Sequence, residues 1–163
     1  MSSLAEKRIY LRSLLECLGD DLGDFLKFDG ALLIYLKRDC LEKKMCLLEI
    51  VEEVLSRYRS LQKDMSERKR PRRVDRFSEE EQNTLEIYSD EASEIEKSLS
   101  EDIYYREYEK SRLTREIDVL TSFISLVEKY SEKEDSSVGL EKALSAWGIN
   151  KSSLIVAKNI RIS

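Results

Sequence analysis

ALLIYLKRDCLEKKMCLLEIVEEVLSRYRSLQKDM, residues 31–65, contains neither glycine nor proline. Its opening, Ala31–Leu36, is apolar on every side, which marks a segment expected deepest in the core. From Leu48 onward the apolar positions narrow to a stripe. Leu48, Val51, Leu55, Tyr58 and Met65 recur at spacings of three and four, with Gln62 the one polar interruption. That is a heptad seam, suited to an antiparallel hairpin or a partner helix. The stretch reads as one long helix, and it sets the class as all-α.

The same reading extends outward. No glycine occurs from Ala31 to Val138, and Pro71 is the only proline. Strand folds need turn residues roughly every 8–12 positions, so long helices are expected instead. Upstream, Ser3 and Glu6 have the spacing of a capping box. Ile9, Tyr10, Leu11, Leu14, Leu15 and Leu18 supply the apolar side of a first helix that Gly19 ends. A short helix over Asp20–Phe28 brings Leu22, Phe25 and Leu26 to one face.

Downstream, residues 66–77 form a basic loop around Pro71, and a new helix opens at Ser78 with Glu79, Glu80 and Glu81 in its first turn. Leu85, Tyr88, Ala92, Ile95, Leu99 and Ile103 continue a stripe, whose phase shifts near Ser98–Ser100 and predicts a kink or break there. A further long segment runs to Tyr130. Its face of Leu113, Ile117, Leu120, Ile124 and Val127, flanked by Val119, Phe123, Leu126 and Tyr130, is wide enough to belong in a core. A polar loop, SEKEDSSVG, then leads to a short helix, Leu140–Trp147, ended by Gly148. Residues 152–163 fit helix or strand, and helix is favoured because no second strand is in sight.

The expected architecture is an elongated helical bundle of antiparallel helical hairpins with partial coiled-coil character and a small C-terminal helical unit. Its segments are an N-terminal hairpin over 1–65, the basic loop 66–77, an acidic helical segment over 78–130 and small helices over 131–163. Together they make one continuous domain.

With 163 residues and 19.1 kDa, 41% apolar and 37% charged, the chain has enough apolar surface for one modest core. It has no histidine, which removes the usual general base near neutral pH and the commonest metal ligand. Cys17, Cys40 and Cys46 are an odd set without a CxxC pair and read as free thiols in a reducing compartment. No glycine-rich phosphate loop, GxSxG elbow or HExxH pair is present. The acid pairs Glu52–Glu53 and Asp90–Glu94 read as solvated helix faces, and Asp20, Asp21, Asp24 and Asp29 lack the spacing of a calcium loop. No catalytic residue, metal or cofactor is therefore expected, and the chain is expected not to be an enzyme. Neither a signal peptide nor a membrane span is legible, so the expected location is intracellular, cytoplasmic or, in a eukaryote, nuclear.

Charge is unevenly placed. Ser66–Arg76 holds six bases and two acids, whereas Ser78–Asp102 holds ten acids and one lysine, in a chain of net charge −5. Arg68, Lys69, Arg70, Arg72, Arg73 and Arg76 are the candidate partner-binding residues. Three readings compete for them: a nuclear import signal, phosphate contacts to nucleic acid, and docking on an acidic protein surface. The overall acidity favours the last. Tyr104, Tyr105 and Tyr108, interleaved with as many glutamates as arginines, are expected to pack their rings on the opposing helix.

Residues 143–158, ALSAWGINKSSLIVAK, resemble the turn and second helix of a helix-turn-helix. G-I-N-K-S-S-L follows that family's order of glycine, Val/Ile, Ser/Asn, Lys/Arg, Ser, Ser/Thr and Val/Leu. Leu144, Gly148 and Leu154 fall at its core and turn positions. The resemblance implies that Asn150, Lys151 and Ser152 face the DNA groove. The chain departs from the pattern at Ile155 and Val156, where the family has polar groove-facing residues. The stretch from Leu140 to Ile160 also resembles the last two helices of a death-fold domain. The expected function is a non-enzymatic protein–protein interaction or scaffold subunit of a larger assembly, meeting another protein or its own copies through helix seams. The alternative is a DNA-binding regulator that uses residues 140–160 with the basic loop 68–76.

Overall fold

The computed structural model describes residues 3–19, 21–27, 30–68, 79–132, 135–150 and 154, with the backbone alone at 27, 68, 82, 84–89, 136 and 137. Among these, every regular element is helical and none is a strand, so the protein is all-α. The elements are α1 Leu4–Cys17, α2 Asp21–Lys27, α3 Ala31–Tyr35, a π-helical segment Leu36–Glu42, α4 Lys43–Arg68, α5 Glu79–Ser131 and α6 Ser136–Ala146. Contacts gather the chain into two compact units: residues 1–47 with 113–163, and residues 48–112.

The first unit holds the main core. α1 opens on the capping box: the Glu6 amide donates to Ser3 Oγ (3.2 Å) and the Ser3 amide to Glu6 Oε2 (3.3 Å). Leu11 and Leu15 of α1, Leu22 and Leu26 of α2, and Leu32, Leu36 and Cys40 are buried against Val119, Leu120, Phe123, Ile124 and Val127 of α5. Partner numbers run in opposite directions, Lys37 pairing with Glu128 and Lys44 with Glu116 (2.8 Å), which makes the two helical stretches antiparallel. Several apolar residues fall outside this core. Ile9 and Ile34 are among the exposed ones, so the Ala31–Leu36 segment is not buried all round as its composition suggested.

The helix from Ala31 is α-helical only to Tyr35. Over Leu36–Glu42 the backbone bonds i→i+5, which widens the turn by a residue. Steps of four, Leu32–Leu36–Cys40–Lys44, therefore stay on one face instead of drifting around it. The wider turn also brings the Tyr35 hydroxyl to the Cys40 sulfur, which accepts its hydrogen bond. Burial, followed by this bond, pushes the Tyr35 hydroxyl up to about 12. Burial likewise raises the Cys40 thiol. The unfolded chain releases the Tyr35 proton near pH 10 and the folded chain near 12, so folded protein holds more protons in that window. Stability is expected to fall as pH rises from 10 to 12, and Tyr35→Phe should flatten that slope in denaturant titrations. An equal slope in the variant would remove Tyr35 as its source.

α6 begins at Ser136, four residues earlier than the sequence suggested, so SSVG is helix and not loop. It packs closely on the end of α5. A Cβ added at Gly139 would lie 2.1 Å from Ser131 Oγ and 3.0 Å from both the Ser131 amide and the Val127 carbonyl. Alanine normally improves a helix interior by up to about 1 kcal/mol over glycine. Here Gly139→Ala is expected to lower stability by about 1–3 kcal/mol through overpacking. A melting temperature unchanged or raised would mean that the last turn of α5 yields. α6 ends in a Schellman cap: the Gly148 amide donates to Ser145 (2.9 Å) and the Ile149 amide to Leu144 (2.8 Å), with Gly148 at φ +74. Leu144, Ile149 and Leu154 are all buried.

The second unit is an antiparallel hairpin of α4 on α5. Arg59 pairs with Glu107, and Gln62 Nε2 donates to Ser100 Oγ at 3.2 Å, which resolves the polar interruption in the seam. Val51 and Leu55 of α4 and Leu99 of α5 are buried, while Leu48, Tyr58 and Met65 are half-buried. The expected break at Ser98–Ser100 does not occur: α5 is continuous from Glu79 to Ser131. Ile95 is exposed, and the half-buried Glu96 occupies the inward position beside it.

Candidate functional site

The inner face of α5 in the second unit is set by Leu99, Ile103, Glu107 and Lys110, which are buried or half-buried. At about 100° per residue, Tyr105 and Tyr108 fall on the opposite side of the helix, with Tyr104 on its flank. The rings are 70%, 67% and 62% exposed for Tyr104, Tyr105 and Tyr108. They do not pack on the opposing helix, contrary to the sequence expectation. The reason is periodicity: a ring on the outer face cannot reach the seam, whatever its hydrophobicity. Tyr104 and Tyr105 meet edge to face, with centroids 5.9 Å apart. Beside them Arg106 bonds Glu109 at 2.8 Å, one helical turn on. Glu101 and Arg112, both exposed, bracket the rings on the same face.

These rings add little to the packing of the α4–α5 seam. Tyrosine is a poorer helix former than the Glu, Lys and Arg around it. Exposed tyrosines that cluster carry apolar area, a hydrogen-bonding tip and little rotamer entropy, the features of residues that anchor protein interfaces. The helical wheel was the signal for them, since phase and not composition places them outside.

The sequence candidates fare differently. Arg68 ends α4, with its side chain outside the described residues, as are Lys69, Arg70, Arg72, Arg73 and Arg76. Asn150 is exposed, and its carbonyl accepts from the Leu154 amide at 3.3 Å; Lys151 and Ser152 lie outside the described residues. The turn that carries the helix-turn-helix resemblance is the Schellman cap of α6. A shallow groove of about 340 Å³ on the second unit is lined by Glu52, Leu55, Ser56, Arg59, Ser60, Lys63 and Lys110, and the Arg59–Glu107 pair borders it. Cys17 and Cys46 are exposed and Cys40 is buried, all as free thiols. Among the described residues no group of three His, Cys, Asp or Glu could hold a metal ion, and no helix is long and apolar enough to cross a membrane. The sequence matches no protein-family model, and neither curated proteins nor solved structures gave a significant match.

Proposed function

We propose that this protein is a non-enzymatic helical interaction subunit, and that it engages protein through the outer face of α5. The supporting observation is the set of three clustered, mostly exposed tyrosines held on a regular helix, opposite the seam that folds it. Such a patch is costly to leave in water and has no role in the hairpin's own packing. The basic run Arg68–Arg76 belongs to the same proposal as a charged contact for an acidic protein surface.

The test uses protein extracted gently from its natural source. The chain is expected to elute with a mass above that of a monomer. Tyr105→Glu with Tyr108→Glu should return it to monomer size while circular dichroism keeps the helical signal, because both positions are solvent-facing. Elution at monomer size without the substitutions, or a large species that ignores them, overturns the proposal.

A further inference from the structure

We infer that the occupant of the tyrosine face is a second copy of this chain, crossing antiparallel about a two-fold axis midway between Tyr105 and Tyr108. The inference rests on the interaction reading above and names its partner. What selects a self-contact is the order of charge along the face: Glu101, then Tyr104, Tyr105 and Tyr108, then Arg112. Glu101 and Arg112 stand at equal distances, about 8 Å along the helix, on either side of that axis. Turning the face through the two-fold puts Glu101 opposite Arg112 of the second copy, and Tyr105 opposite Tyr108. The same contacts recur in reverse, as an isologous interface demands.

A parallel pairing would instead set Glu101 on Glu101 and Arg112 on Arg112. It would also lay the two acidic stretches, Ser78–Asp102 with ten acids and one lysine each, against one another. Like charges juxtaposed in this way disfavour the contact. The antiparallel crossing sends the two stretches away on opposite sides of the axis. The Arg106–Glu109 pair lies off the face, and Arg112, which also has a partner within its own chain, carries five N–H donors and can share them with Glu101 of the second copy.

Ring burial supplies the attraction, and the Glu101–Arg112 pairs fix direction and register, since exposed pairs alone contribute little. Six rings offer on the order of 100 Å² each. With their flanks they reach only the lower edge of the roughly 1,200 Å² typical of stable complexes. A reversible dimer with a dissociation constant on the order of micromolar follows.

Sedimentation equilibrium of the purified full chain, from about 1 to about 200 µM, tests this. A monomer–dimer equilibrium is expected. Tyr105→Ser with Tyr108→Ser should weaken it at least about tenfold, with helicity unchanged. Glu101→Arg alone and Arg112→Glu alone should each weaken it, and the two together in one chain should restore it, because each copy again offers acid to base. A monomer at every concentration overturns the inference, and if the native assembly still depends on Tyr105 and Tyr108 the wider interaction reading survives. A dimer that ignores the tyrosine changes, or one that the paired swap fails to restore, also overturns it.

Discussion

Phe123→Ala is expected to lower the free energy of unfolding by about 3–5 kcal/mol, at the upper end for truncation of a buried side chain to alanine. Phe123 is fully buried in α5 and is the largest such side chain among the described residues. Its ring meets Trp147 edge to face at a centroid distance of 5.1 Å. Truncation removes that contact, forfeits the burial of the ring and leaves a cavity around which the core relaxes only in part. Urea titration followed by Trp147 fluorescence measures the loss. Trp147 is the only tryptophan, so the signal reports on the region where the cavity forms. Phe123→Leu, which keeps much of the volume, should cost clearly less. Equal losses for the two variants would mean that the site collapses around either one.

Leu55→Pro should cost about 3 kcal/mol or more for the backbone alone. Leu55 lies in the interior of α4, buried to 2% exposure in the hairpin with α5. Proline removes the amide that bonds four residues back, and its ring clashes with that carbonyl. Leu55→Ala provides the control, since it loses the side chain but keeps the ladder, at about 2–5 kcal/mol. Thermal melts followed by far-ultraviolet circular dichroism should show the proline variant with the lower helical amplitude at low temperature. If both variants start from the same amplitude, the hairpin absorbs the proline without unwinding.

The helical class was legible because glycine and proline are absent across the two long segments, and the Ser3–Glu6 capping box was legible because its chemistry is local. Phase was harder. Reading the α5 seam by hydrophobicity chose Ile95 and so implied a break, yet the inward positions include Glu96, Glu107 and Lys110. Long charged side chains lay their stems along a seam while their heads reach water or a partner, as Glu107 does with Arg59. A pattern scored on apolar letters cannot see them. The tyrosine face was missed for the converse reason: rings were assigned inward by type, although their phase against Leu99 and Leu113 already placed them outside. The π-helical segment leaves no local mark in sequence, because the packing of Leu36 and Cys40 into the core selects it over the α form.

That segment gives the helix one residue of slack. In an ordinary α-helix, losing a residue rotates everything beyond the deletion by about 100° and pulls the buried face out of the core. Across Leu36–Glu42 the extra residue per turn is already present, and Arg38 and Asp39 are exposed. Removal of either is expected to close the wide turn to a regular one, leaving Leu32 and Leu36 in phase with Lys44. The backbone here is therefore tolerant of a change in length, at a depth in the fold where insertions and deletions are ordinarily lethal to packing.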